Sequence, residues 1–386
     1  MKDDGSAFSW GNGAFGGNYG SASSQLTSGV VDIFSSGHAF AALKSDGSLV
    51  TWGAGNQGGS LTVPADVTSQ ASSGVVTVGS NSHVFAAIKT DGSAFTWGEG
   101  SYGGSHSEPV TSELTSGIAS IINGHVKDGR VLAAMKSDGK ALVWGGQTGS
   151  HVFNDVKAVT VSTHAAAILF ADGTAEAVGS SSHGGDESSV SSQLTDIGAI
   201  YSTGYAFAAV KTDGSVVTWG DSGKGGNSDA VAADLACCVQ EIFNTRTAFA
   251  ALKSDGSIVA WGDSAHGGDT SGADVSSGVR LVHGIEYEDD GAFAAVKWDG
   301  SVATWGHSSS TAGLPSSLNV GTATSTQTTT STTTTSQTVT TSSTTTQTRT
   351  TQDYMMPPSW PFLVVFLGGA FALLVAGNFI FPGEKK

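Results

Sequence analysis

The chain repeats itself, and the repeat limits the fold more than any other feature. An alanine-rich apolar run, a lysine, Ser or Thr, Asp-Gly and then Trp-Gly occurs first in complete form from Ala39 to Gly53. It returns from Phe85 to Trp97, Leu132 to Trp144, Phe207 to Trp219, Phe249 to Trp261 and Phe293 to Trp305. A degenerate copy from Ala165 to Gly179 has Val178 in the tryptophan slot, and Asp4-Gly5 to Trp10-Gly11 is a partial one. The slots at 10, 52, 97, 144, 178, 219, 261 and 305 lie 42, 45, 47, 34, 41, 42 and 44 residues apart. That is the spacing of propeller blades.

One copy can be read physically. Asp-Gly between two apolar runs predicts a hairpin with a type I′ turn. A third strand is predicted before each hairpin: Val30 to Phe34, Val75 to Val78, Ile118 to Ile122, Val156 to Val161, Ile197 to Tyr201, Val239 to Phe243 and Val279 to Val282. Loops after Trp-Gly often close on a glycine pair, as at Gly58-Gly59, Gly103-Gly104, Gly225-Gly226 and Gly267-Gly268. With 54 glycines and only 7 prolines, the composition suits many tight turns between short strands. A sheet of three or four such strands cannot bury both faces alone, so the copies must pack on one another. The expected fold is all-β, a seven-bladed propeller of short three- to four-stranded blades over residues 1–320 with an incomplete first repeat.

The run Gly37-His38-Ala39-Phe40-Ala41-Ala42-Leu43, with Asp46-Gly47 and Trp52-Gly53, resembles the regulator-of-chromosome-condensation repeat. Blades of that family carry Gly-x-x-His, a small-apolar run to Leu, Asp-Gly, Trp-Gly and a closing Gly-Gln-x-Gly. His83 and His164 also match the family histidine, whereas Tyr205 and Thr247 replace it, and the closing motif shrinks to Gly-Gly. The compact blades are similar to those of the secreted bacterial β-lactamase-inhibitor propeller of the same superfamily. The resemblance implies a β-propeller. Only scaffold positions match, so it carries over no exchange-factor residues. The Gly-Trp-Arg-His-Thr run of the family's plant UV-B photoreceptor is absent.

The first 320 residues hold 14 basic and 31 acidic residues, a balance that repels phosphate backbones, so no nucleic-acid partner is expected. The two cysteines, Cys237 and Cys238, are adjacent, a separation at which bridging is uncommon, and the pair alone lacks two ligands for zinc. Aligning Lys2 with Lys44 puts Met1 at the mid-strand position of Leu43, which favours an internal methionine of a longer chain.

Residues 321–358 are expected to form a disordered Thr/Ser-rich linker, because they carry no apolar period. Such tracts resemble O-glycosylated stalks. Trp360 to Phe381 is a 22-residue uncharged run, and a transmembrane helix is expected over 359–382 with a short charged tail at 383–386. Gly368, Ala372 and Ala376, four apart, would give that helix a small-residue stripe for self-association. Lys385 and Lys386 favour a cytosolic tail, with the propeller expected in the lumen or outside the cell. The lack of any Asn-x-Ser/Thr sequon among the ten asparagines favours the alternative, a cytosolic tail-anchored protein.

Chemistry-bearing motifs are scarce. His38, His83 and His164 share one repeat position and are expected to spread around the ring rather than share a metal. Asp186, Asp221, Asp263 and Asp269 flank glycine turns without a calcium nonapeptide. The recurring Lys44, Lys89, Lys136, Lys211, Lys253 and Lys297 are expected as solvated edge charges. No catalytic, cofactor-binding or metal residues are expected. The reading is a membrane-anchored, non-enzymatic protein-interaction module. The alternative is a cytosolic regulator of small GTPases or a ubiquitin-ligase adaptor.

Overall fold

The computed structural model describes residues 1–308 apart from 62–66, 124–127 and 288–289, and beyond them only 330–335, 339–344, 362–367 and 370–375. Within the first unit, seven antiparallel sheets follow one another. Sheet one contains Val30–Ser35, Ala39–Lys44 and Leu49–Gly53, in that order. Sheets two to seven begin at Val75, Ile118, Val156, Ile197, Val239 and Val279. The first strand of each sheet packs against the first strand of the next, so these are the inner strands. The row also curls: Arg246, before the middle strand of sheet six, reaches Asp128 in sheet three at 3.0 Å. Seven sheets of three or four strands with touching inner strands match the propeller expected from the repeat.

The hairpin turns are not type I′. In sheet one Gly47 donates to the Lys44 carbonyl at 2.9 Å, and Lys44 donates to the Ser48 carbonyl at 2.9 Å. Gly47 has φ +77°, whereas Asp46 does not have positive φ, so this is a type I turn closed by a left-handed glycine bulge. The Asp46 carboxylate explains the preference, because Oδ1 accepts from both the Ser48 amide at 2.9 Å and its hydroxyl at 2.6 Å. That bonding needs Asp in the right-handed region. Asp91, Asp213, Asp255 and Asp299 repeat it.

The glycine pairs join one sheet to the next. A 3-10 turn, Gly55–Gln57, leads into Gly58 at φ +99°. The Gly58 carbonyl accepts from the Trp97 indole at 3.1 Å, and Phe85 stacks on Trp97 with centroids 5.2 Å apart. A Cβ on Gly58 would lie 2.5 Å from the Phe85 ring, so the ring needs the bare backbone. Trp52, Trp144, Trp219, Trp261 and Trp305 donate in the same way to Gly16, Gly103, Gly184, Gly225 and Gly267. The indole N–H thus finds a partner although the ring is buried.

Four expectations need correction. The recurring lysines are not free edge charges: Lys44, Lys89, Lys136 and Lys253 donate to the carbonyls of Gln25, Gln70, Glu113 and Asp234, and Lys297 to the Asp274 carboxylate. Cys237 and Cys238 do form a disulfide, with Cys238 at φ +72°. In the linker, Thr330–Thr335 and Val339–Thr344 pair as antiparallel strands, as β-branched threonine favours. Phe362–Leu367 and Ala370–Val375 also pair as strands instead of forming the expected helix. Their Val and Phe content suits strands, and Gly368-Gly369 lies between them in sequence. The rest of Trp360 to Phe381, including Gly368 and Ala376, lies outside the described residues, so the small-residue stripe has no described helix to sit on. Among the described residues no helix is long and apolar enough to cross a membrane.

Candidate functional site

One end of the first unit collects side chains that the repeat does not need for packing. The loops between inner and middle strands meet there and are tied in sequence by hydrogen bonds. Gly37 donates to the Ser82 carbonyl at 3.0 Å, and the Ser82 hydroxyl donates to the Gly129 carbonyl at 2.8 Å. Arg130 donates to the Thr163 carbonyl at 2.8 Å, Thr163 to Gly204 at 3.2 Å, and Gly204 to Arg246 at 2.8 Å. The belt links sheets one to six and fixes the residue that follows each anchor.

Those following residues are His38, His83, Arg130, His164, Tyr205 and Thr247. Between them come the residues just before the glycine pairs, held at the ends of the 3-10 turns. Tyr102 lies between the His83 ring, with centroids 4.1 Å apart, and the Arg130 guanidinium, 4.2 Å from its ring. His183 lies between His164 at 4.3 Å and Tyr205 at 4.9 Å. Lys224 lies over the Tyr205 ring, with Nζ 3.5 Å from its centre. Phe15 and His83 flank His38 at 5.2 and 4.7 Å, and His266 stacks on His307 at 5.5 Å. The result is an arc of aromatic rings and cations.

Burial, followed by the nearby His164, holds the His183 pKa down to about 4. Burial also lowers His164 and His83, the latter helped by His38. Arg130, Lys224 and Arg246 bring cationic side chains to the arc. Burial opposes the Arg246 charge, but Tyr205 and the Asp128 carboxylate raise its pKa above the ordinary value.

The expected spreading of His38, His83 and His164 is only partly right. His38 and His83 come from neighbouring sheets and touch, while His164 meets His183 instead. The rings meet in tilted pairs, and among the described residues no group of three metal-ligating side chains is placed to share an ion. The acidic loop residues serve their own turns. Asp221 and Asp263 accept from the Gly223 and Ala265 amides, and Asp186 and Asp269 from Ser188 and Ser271. Asp263 also pairs with His266 at 2.8 Å.

Sequence reasoning missed Tyr102, His183, Lys224 and His266. Their signal was present: each stands immediately before a glycine pair, in a slot whose chemistry differs from copy to copy. A scaffold slot that varies while its surroundings repeat is where a binding surface is written.

No protein-family model matches the chain, and no curated protein does. Among solved structures, the chain is similar to the ectodomain of the Physcomitrella patens receptor kinase CR4, at 14% identity over 71% of this chain and 72% of that one, TM-score 0.37. It is similar to Prp20p of Saccharomyces cerevisiae at 14% identity, over 77% and 80% of the two chains, TM-score 0.38. Human WBSCR16 is similar at 14% identity over 59% and 75%, TM-score 0.34. At these scores the fold rests on the sheets, their touching inner strands and the repeat, not on the likenesses.

Proposed function

We propose that the protein is a non-enzymatic interaction module that binds an acidic protein surface through the aromatic and cationic arc. The observation carrying this reading is the interleaving of Tyr102, His183 and Tyr205 with Arg130, Lys224 and Arg246 on a unit whose net charge is otherwise strongly negative. Tyrosine and arginine are the residue types that dominate binding hot spots, and the tied loops present them with little ordering cost. Asp128 holds Arg246 in place and leaves Arg130 and Lys224 as the charges a partner would meet.

Membrane attachment belongs to the same proposal on the sequence alone, since the described strands Phe362–Leu367 and Ala370–Val375 supply no spanning helix. Its support is the uncharged run Trp360 to Phe381, followed by Lys385 and Lys386, after a Thr/Ser/Gln tract. The proposed topology displays the propeller on the lumenal or extracellular side. Protease protection on intact vesicles tests the side, and alkaline carbonate extraction tests the anchor; release of the full chain into the supernatant overturns attachment.

The docking reading is tested by proximity labelling with the full chain and with Arg130→Glu/Lys224→Glu. Neighbours labelled by the parent should be lost from the double variant, while the far-UV spectrum and melting temperature stay close to the parent's. An unchanged set of neighbours overturns the reading.

A further inference from the structure

The repeats serve as internal controls for one another, and the seam between sheets five and six departs from them at several positions that meet in one place. Four sheets enter their inner strand through a left-handed glycine, Gly29, Gly74, Gly117 or Gly278, and two through a left-handed aspartate, Asp155 or Asp196. Sheet six enters through Cys238, disulfide-bonded to Cys237, and both cysteines are exposed. On the inner strand of sheet five, Gly198 stands where the other sheets carry Val31, Val76, Ala119, Lys157, Gln240 and Arg280. A surface cavity of about 400 Å³ lies beside it, lined in part by Gly198, Tyr201, Lys211, Asp213, Cys238 and Ser254.

Lys211 is the third departure. The linker from Leu194 to Ile197 is one residue shorter than those from Leu26 to Val30 or Leu235 to Val239. In the shortened turn the Gln193 carbonyl, the counterpart of the lysine acceptors elsewhere, receives the Thr195 amide at 2.9 Å. Lys211 is thus the one repeat lysine whose ammonium has no hydrogen bond or ion pair among the described residues, and it lines the cavity with Cys238.

We propose that Cys237–Cys238 is a reversible thiol–disulfide exchange site, and that the cavity seats a small thiol bearing carboxylates, with Lys211 holding the anion. The thiolate of the incoming molecule attacks Cys238 Sγ, forming a mixed disulfide. The bond to Cys237 breaks, and the Cys237 thiolate takes a proton from water. A second thiol then attacks the small molecule's own sulfur in that mixed disulfide and releases Cys238. Two thiols are oxidised to one small disulfide, and the protein disulfide is reduced to two thiols. Asp213, on the same wall, offsets part of the Lys211 charge, so the attraction is short-ranged and salt-sensitive.

The test uses the purified full chain and three monothiols: glutathione, which is anionic, uncharged mercaptoethanol and cationic cysteamine. Intact mass after acid quench and alkylation gives the rate of opening for each. The expected result is that Lys211→Gln slows opening by glutathione by about threefold or more relative to mercaptoethanol, with the gap closing in high salt. Cysteamine should show no such loss. Lys89→Gln, far from the seam, is the matched control for losing a repeat lysine. A disulfide inert to all three thiols overturns the exchange site. Equal slowing with all three thiols, or the same effect from Lys89→Gln, overturns the role of Lys211 and the anionic co-substrate.

Discussion

Two seams in the same row of sheets solve one packing problem in different ways. Between sheets one and two, Trp97 and Phe85 are fully buried and the indole donates to the carbonyl of Gly58 on the preceding sheet. Between sheets three and four there is no glycine-pair turn. The chain after Trp144 instead adds a fourth strand, Ser150–Phe153, paired with Ala141–Trp144. The tryptophan slot then holds Val178, the Phe85 slot holds Ala166, and the lysine slot holds Phe170, whose ring meets Phe153 at 6.3 Å. Without a carbonyl to accept its N–H, a tryptophan there would bury an unsatisfied donor, so turn and tryptophan disappear together. The lesson is that the unit of this repeat is the seam, not the sheet: half of each lock lies on either side.

The largest expected effect tests that lesson directly. Trp97→Ala should cost about 3–5 kcal/mol in urea unfolding, the range for removing a fully buried large ring. Val178→Ala, at a half-buried position with no hydrogen bond to lose, should cost about 1 kcal/mol. Equal costs would mean that the two seams do not differ in the way described. Glycines sharpen the same contrast. Gly58→Ala forces φ +99° on alanine and drives Cβ against Phe85, adding overpacking of about 1–3 kcal/mol to a left-handed penalty of about 1 kcal/mol. Gly139→Ala at φ +85° meets nothing within 4 Å and should show the backbone penalty alone.

Much of this was legible because the seam leaves a periodic trace. The 34-residue spacing before Val178, shorter than any other, falls at the altered seam. The inner strands also fall where the apolar runs placed them. The turn type was misread because Asp-Gly alone does not show that Ser48 would claim the Asp46 carboxylate. The arc of rings was not legible for a different reason. Gln57, Tyr102, His183, Lys224 and His266 share a backbone slot but no chemistry, so no pattern search joins them. The Lys211 departure depends on a one-residue shortening of a linker, which matters only once its acceptor is seen in place.

A smaller effect separates the histidine arc from the seams beneath it. His183 has a folded pKa of about 4, below the ordinary 6.5, because burial disfavours its charge. The unfolded chain therefore binds this proton more readily between those values. The stabilising contribution is complete above pH 6.5 and is lost as pH falls toward 4. His164 and His83, shifted in the same direction, add to the slope. His183→Gln should flatten the fall in melting temperature between pH 6.5 and 4 while leaving the slope above pH 7 unchanged. An undiminished slope would place the acid sensitivity elsewhere.

The smallest effect belongs to sheet three, which, like sheet four, joins the two kinds of seam. On the side facing sheet two, Glu113 binds Lys136 at 2.5 Å and Lys140 at 2.8 Å. Hydrogen bonds from both lysines, Lys136 first, hold its carboxyl down to about 2. The Glu113 carbonyl also accepts from Lys136, so the backbone half of the usual lysine anchor survives loss of the carboxylate. Glu113→Gln should therefore cost no more than about 1 kcal/mol at pH 7, as for other partly exposed ion pairs. A depressed carboxylate stabilises above its ordinary pKa near 4.5 and loses that contribution as pH falls through its folded value. The gap between parent and Glu113→Gln should accordingly be full at pH 7 and nearly closed at pH 2, and smaller in high salt throughout. A gap that persists unchanged at low pH would show that Glu113 supports sheet three by packing. The seam would then owe its strength to the buried Trp144 lock alone.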